Sequence, residues 1–470
     1  MQTPPENIYP FHLGKYIIFP KNLGKGSYGK VSLAKDQKGT ILAAKCILNK
    51  NIFSDTDATQ KMISEITLYS KLNHRNIIKL KDVLLTRDQT YLILEHCNCE
   101  NLLEFLCKYR EVFKHNPTMK VTQILFKQII EGLYYMFTQK CIHRDLKLDN
   151  IMLSEKTNLN MSININQNKI KSYMYQSDIT EEHFNKKLYF DLPQMQPTYW
   201  DNEFISNENI FENHLKNYVI KIIDLGFGKQ FEDDDELLTT SICGNLVGIA
   251  PEIWKIHARE SDYYSGDKVD LWSLGVTLYT FVFKQFPFKV ENGQEFSYIL
   301  YDNGTYTMPI GNKNSVITVE FIDLINGLLR RDPKERYSWD IVKNHPFIRK
   351  PIEKQKVFKI EGSDTLTLDI INNKQTFLSE EELHEYSNCG EDNQMEGNEE
   401  EDKKNVEFSK YLIEIFRDKK HIVVPMETTI KQIDNEWSLV DTKIIESEPQ
   451  QKKEKSFIGK IFSYFSPNQK

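Results

Sequence analysis

At 470 residues, with 40% apolar and 12% aromatic side chains, the chain has apolar material for a folded core and length for two or three domains. A formal net charge of −7 argues against a protein that coats nucleic acid. The opening MQTPPENIYPF lacks an apolar signal core, and no window approaches ~18 consecutive apolar residues, so neither a secretory leader nor a membrane span is expected. The seven cysteines are scattered, and Cys97 and Cys99 miss the C-x-x-C spacing, which reads as reduced thiols in the cytoplasm or nucleus.

In chain order, residues 15 to 48 alternate apolar positions around a glycine cluster and predict antiparallel strands. Residues 58 to 72 read as a helix, and 79 to 96 as two strands with a turn near Thr86 to Gln89. From Leu102 the pattern is mainly helical, over 101–109, 118–139, 267–284, 317–329 and 338–344. LWSLGVTLYTFVF, 271 to 283, has the length of a buried helix. Strands followed by helices predict an α+β chain with two unequal lobes. Residues 154 to 217 break this order. They are rich in Asn, Lys, Ser and Tyr without a clear period, which predicts a mobile insertion. Residues 379 to 404 form an acidic linker of disordered composition, and 405 to 445 regain apolar character.

Three stretches carry chemistry. LGKGSYGKV, 23 to 31, places Gly24, Gly26 and Gly29 where the backbone can approach phosphates closely. A dinucleotide-binding unit has the same spacing but continues into a helix, whereas β-type residues follow here. The plainer alternative is a glycine hairpin. Lys45 stands in the apolar strand LAAKCI, 16 positions after Gly29, and needs a partner. Glu65, on the predicted helix, is the candidate that would hold the ammonium against phosphate oxygens; two solvated surface charges are the alternative. CIHRDLKLDNIML, 141 to 153, supplies Asp145 to accept a hydroxyl proton, Lys147 to stabilise charge and Asn150 to ligate a metal. Asp224 adds an anionic ligand. Hard oxygen donors beside nucleotide phosphates suit Mg²⁺.

Residues 16 to 347 resemble a eukaryotic protein kinase of the Ser/Thr type. The resemblance rests on the glycine loop, Lys45, Glu65, H-R-D at 143 to 145, D-L-G at 224 to 226 and A-P-E at 250 to 252. It continues through DKVDLWSLGV and RDPKERYSWDIVKNHPFI. Within the family, the glycine loop and DLGFGK are similar to the ULK-type group. The resemblance implies a bilobal fold, with a small antiparallel-sheet lobe bearing one main helix and a larger helical lobe. It implies ATP and Mg²⁺ as cofactors and protein substrates phosphorylated on Ser or Thr, with Lys147 pointing to Ser/Thr over Tyr. Leu23, Val31, Ala43 and Met152 would contact adenine, Leu94 would be the gatekeeper, and Glu95 to Cys97 the hinge. Arg336 would pair with Glu252, and Asp270 would brace the catalytic loop. Arg144 would bind a phosphate on Ser241, Thr240 or Thr239. The alternative function is a pseudokinase-like ATP-binding scaffold that recruits partners through its tail.

The sequence departs from the family in three places. Leu225 replaces the usual Phe, a change of shape more than of chemistry, and is expected to stack with Tyr69 and His143. Asp224 stands 74 positions beyond Asn150, with the insertion between strands that should still pair. Asn245 and Gly248 stand where the family often has Thr or Ser and Tyr, which opens the wall beside the substrate residue that follows the phosphoacceptor. The acidic run at 232 to 236 reads as a solvated turn. The remaining organisation is an extension at 1–15, a connector at 348–378 and a tail at 405–470. In that tail, KKEKSFIGKIFSYF, 452 to 465, carries apolar residues at helical spacing among lysines. It suits docking on a protein partner or on this chain more than contact with an anionic membrane, with disorder as the alternative.

Overall fold

The computed structural model describes residues 10–26, 29–52, 56–86, 88–155, 198–231, 238–239, 249–257, 261, 263–287, 305–309, 316–357, 365–369, 423–425, 429–433 and 436–440. Asn245, Gly248, Thr240, Ser241, the acidic stretches at 232–236 and 379–404 and the segment 452–465 lie outside the described residues.

The N-terminal lobe is an antiparallel sheet of β1 (Phe11–Leu13), β2 (Tyr16–Gly26), β3 (Gly29–Asp36), β4 (Ile41–Leu48), β5 (Leu80–Leu85) and β6 (Gln89–Glu95), in the order β1-β2-β3-β4-β6-β5. A short α1 (Asn49–Ile52) leads into α2 (Thr56–Lys71). Met62, Ile66 and Tyr69 recur at helical spacing on α2 and are all buried, and Glu65 is buried beside them.

The C-terminal lobe is helical. α3 (Leu102–Phe113) begins at a capping box, in which Asn101 Oδ1 accepts from the Glu104 amide and Glu104 accepts from the Asn101 amide. It ends where Lys114 turns left-handed, at φ 63°. α4 (Met119–Thr138) is capped by Thr118 and buries Val121, Leu125, Phe126, Ile129 and Leu133. One hydrophobic cluster runs from Ala43 and Leu94 of the sheet through these helices to Ile348.

Beyond α4, β7 (Cys141–Ile142) and β8 (Ile151–Glu155) flank the loop at 143–150. β8 pairs antiparallel with β9 (Tyr218–Ile222), Ile151 opposite Ile222 and Glu155 opposite Tyr218. The strands on either side of the long insertion do pair, as their apolar patterns predict.

The insertion itself needs correction. Residues 154–155 belong to β8, and 198–215 are folded: a 3₁₀ turn at Thr198–Trp200, α5 (Asn202–Ile205) and α6 (Glu208–Leu215). Tyr199, Phe211 and Leu215 have no exposed surface. Phe105 of α3 lies 5.8 Å from the Tyr199 ring and 6.2 Å from that of Phe211. Glu212 accepts from the Thr118 hydroxyl at 2.6 Å and pairs with Lys120 at 3.0 Å. Each large aromatic buried here contributes about 1.5–3 kcal/mol, which holds this segment on α3 and α4 despite its polar composition.

The chain then runs through β10 (Lys229–Gln230), β11 (Leu238–Thr239), α7 (Pro251–His257), β12 (Tyr264–Ser265) and α8 (Gly266–Phe283). α8 is buried on nearly every side, so it forms the lobe's axis. At Gly275 a Cβ would lie 2.9 Å from Leu328 Cβ, so only glycine permits the close approach of α9 (Val319–Leu328). α10 (Trp339–Asn344) and α11 (Pro346–Arg349) complete the lobe. The expected connector begins as part of it: Thr318 donates to Gln355 at 2.8 Å and the Val319 amide to Lys356 O at 2.7 Å. β13 (Thr305–Pro309) pairs with β14 (Thr365–Asp369). β15 (Val423–Pro425) pairs parallel with β5, and β16 (Thr429–Ile433) pairs with β17 (Glu436–Val440).

Candidate active site

The glycine stretch is a tight β2–β3 hairpin, with Gly24 opposite Val31 and Gly26 opposite Gly29. Its glycines differ in purpose. At Gly24 a Cβ would meet nothing within 4 Å, which leaves open space beside the backbone. At Gly29 it would meet the Cys46 carbonyl oxygen at 1.9 Å, so this glycine lets β3 pack on β4.

Register on β4 places Lys45 opposite Val31 on one side and Leu92 on the other, inside the lobe. Lys45 Nζ donates to Glu65 Oε1 at 2.7 Å and stands 3.5 Å from Asp224 Oδ1. Burial pulls the lysine pKa down, but the Glu65 and Asp224 carboxylates outweigh it, so the ammonium is held above its usual range. Burial pushes Glu65 up, and Lys45 pulls it back. Among the described residues the cluster holds one cation between two carboxylates and so carries an excess of negative charge.

The loop at 143–150 is pinned from α8. Asp270 accepts from the His143 and Arg144 amides, each at 2.7 Å. Burial pushes the Asp270 carboxyl up, and these amide donors and the Arg144 charge oppose it. Beside this bond pair Arg144 holds φ 65°, a left-handed conformation uncommon outside glycine. The Asp145 amide donates to His143 Nδ1 at 3.2 Å, and Lys147 Nζ stands 2.9 Å from Asp145 Oδ2. Asn150 Nδ2 donates to both Asp145 O at 2.8 Å and Asp145 Oδ2 at 2.9 Å. Both amide protons are thereby used on Asp145, which leaves the Asn150 amide oxygen as a hard donor for a cation.

β9 delivers Asp224 to the same place. Asp224 is left-handed, at φ 59°, which turns the strand into the following loop. Leu225 has no exposed surface, and its amide donates to the Tyr69 hydroxyl at 3.4 Å. His143 Nε2 lies 3.1 Å from Ile223 O. Tyr69, Leu225 and His143 are all buried. Hard oxygens from Asp224 and Asn150 beside an anionic cluster fit a divalent cation, and Lys45 fits a phosphate.

Ala43 and Leu94 face each other across β4 and β6, buried in the main core, with Val31 and Cys97 packed against it. Leu23 is 36% exposed at the hairpin, and Met152 is half-buried on β8. Glu95 was expected only as a hinge position. Its side chain pairs with Lys221 of β9 at 2.8 Å and ties the end of β6 to the C-terminal lobe. Lys221 was missed, although a lysine in the apolar run YVIKII carries the same signal as Lys45. Burial pushes the Cys97 thiol up to about 12, so it stays protonated at neutral pH.

Glu252 and Arg336 form the expected pair, bidentate at 2.6 and 3.0 Å. Arg144 Nε donates to Phe227 O at 2.6 Å, while its buried Nη1 has no hydrogen-bond partner among the described residues. Of the three hydroxyls expected to meet Arg144, Thr239 is 2% exposed in β11, paired with Tyr264. A hydroxyl so enclosed is not open to modification in this conformation.

The family model for the protein kinase domain matches residues 18–167 and 205–348, and so passes over the middle of the insertion. The human SNF-related serine/threonine-protein kinase is 28% identical over 330 residues, which cover 70% of this chain and 33% of that protein. Serine/threonine-protein kinase STK11 of Rattus norvegicus is 27% identical over 347 residues, 72% of this chain and 61% of its own. Serine/threonine-protein kinase apg-1 of Neurospora crassa is 25% identical over 361 residues, 72% and 32% respectively. The matched region spans from about a third to about three fifths of these relatives.

Proposed function

The chain belongs to the protein kinase family, and we propose that it is an ATP-dependent serine/threonine kinase that transfers the γ-phosphate to protein hydroxyls. One observation carries the reading: Lys45 reaches both Glu65 and Asp224, so the lysine, its helix partner and the candidate metal ligand form one connected cluster. A pseudokinase-like scaffold would lack one of Lys45, Glu65, Asp145, Asn150 or Asp224, and all five are present. The names of the relatives support serine/threonine specificity.

In this reading Leu23, Val31, Ala43 and Met152 enclose the adenine, with Glu95 to Cys97 along its edge. Lys45, held by Glu65, binds the nucleotide phosphates under the Gly24–Gly29 hairpin. Asn150 and Asp224 would hold Mg²⁺, which supplies neutralisation of phosphate charge. Asp145 orients the substrate hydroxyl and accepts its proton, and Lys147 stabilises charge on the transferred group. Positioning and electrostatics carry the rate. Phosphorylation of Thr240 or Ser241 would give the buried Arg144 Nη1 an anionic partner and raise activity. The segment 452–465 remains a candidate docking element for a protein partner.

The test is Asp145→Asn in the full chain. ATP affinity should stay within about twofold while transfer falls by about 10²–10⁴-fold. Undiminished transfer, or loss of ATP binding in step with transfer, contradicts the assignment.

A further inference from the structure

A cavity of about 360 Å³ opens beside the catalytic loop. Asp145 and Lys147 line it at one end. The rest of its wall comes from the neighbouring loop residues, Ile249, α3, α7, α8 and the turn after α8, and is mostly apolar. Two features single it out. Leu103 of α3 and Phe286 beyond α8 both line it, and they are 38% and 43% exposed, large apolar side chains kept partly in water. Neither is set loosely: Leu103 lies in the first turn of a helix with a capping box, and Phe286 follows the left-handed Lys284 that ends α8. The cavity is therefore built before any occupant arrives.

Its charges are unevenly placed. Among the described residues, Asp145 and Asp149 are its only carboxylates, and both belong to the catalytic loop. On the α8 side the charged group is Lys284. Among the described residues, a basic side chain entering beside α8 meets the like charge of Lys284, whereas an apolar one meets Leu103, Leu106, Ile253 and Phe286.

We propose that this cavity is a subsite for one apolar side chain of the protein substrate, with Leu103 and Phe286 as the residues that select it. The inference rests on the phosphotransfer reading above. An extended peptide advances roughly 3.3–3.6 Å per residue, so a side chain within three residues of a hydroxyl placed at Asp145 reaches the cavity. The occupant is the substrate because the same cavity contains the groups that act on the substrate hydroxyl.

The test uses the full chain and serine-centred peptides with Leu, Ala, Arg or Glu at each position from three before to three after the serine. Both phosphorylation and binding are measured. At one position Leu should raise kcat/KM over Ala by about tenfold, with Arg no better than Ala. Leu103→Ala and Phe286→Ala, at exposed positions, should each remove most of that advantage and leave Ala peptides within about twofold. Turnover without a Leu preference, or with an Arg preference, overturns the subsite. Equal slowing on all peptides does so too, because a segment of this chain would then fill the cavity. Leu-selective binding without any phosphorylation would sustain the subsite and sink the phosphotransfer reading, and failure to bind any peptide would sink both.

Discussion

Two buried charge clusters, one around Arg336 and one around Lys45, are built differently. Around Arg336 every need is met: Glu252 takes two bonds, and the carbonyls of Lys268, Arg330 and Arg331 receive the rest of the guanidinium. Charges balance one to one, and the pair locks α7 to the segment before α10. Around Lys45 one ammonium serves two carboxylates from three separate elements, β4, α2 and the end of β9. A saturated pair holds a lobe together. An unbalanced one is prepared for charges that arrive later, here a cation and phosphates. Burial of charge alone does not separate the two; the balance of partners does.

Breaking each pair should expose the difference. Glu252→Ala leaves a buried guanidinium unpaired and should cost about 3–5 kcal/mol, read as a loss of denaturation midpoint, whatever the nucleotide. A comparable loss is expected from Phe211→Ala, about 3–5 kcal/mol, because that ring anchors the folded end of the insertion on α3. Stability within 1 kcal/mol of wild type, on the order of a surface change, would return residues 198–215 to the status of a loose insertion.

Lys45→Met should abolish transfer yet cost less stability than Glu252→Ala, because Glu65 can take up a proton. The sign follows from its pKa. Burial already holds the Glu65 pKa above its usual value, and without Lys45 it rises further. A group raised in the folded state stabilises fully below its unfolded pKa and loses that contribution as pH rises through the folded value. Thermal melts from about pH 5 to pH 8 should therefore show the gap between Lys45→Met and wild type widening as pH rises. A gap independent of pH would mean that Glu65 is not the group responding. The smallest effect is expected for Leu225→Phe, about 1 kcal/mol with activity within a few-fold of wild type, since the site is fully buried but apolar on both counts.

Much of this was legible in the sequence because the chemistry is local. H-R-D-L-K-L-D-N carries Asp145, Lys147 and Asn150 within eight positions, and the fold only has to close a loop around them. The partnership of Lys45 with Glu65 followed from a charge in an apolar strand and a carboxylate on an apolar helix face. Four things were hidden. The need for glycine at 29 comes from the Cys46 carbonyl on a neighbouring strand, a contact no spacing reveals. The burial of Thr239 depends on its pairing with Tyr264. The fold of 198–215 was masked by its polar composition, although Asn207 as a helix cap and Phe211 with Leu215 one turn apart were signals in plain view. The cavity by Leu103 and Phe286 joins segments about 180 positions apart and could not be read from either.

The most direct measurement is transfer of label from γ-phosphate-labelled ATP to a pool of protein substrates, with and without Mg²⁺, followed by identification of the labelled residue. The account predicts label on serine and threonine that disappears when the metal is chelated. Label on tyrosine, or firm ATP binding with no transfer to any protein, would contradict it.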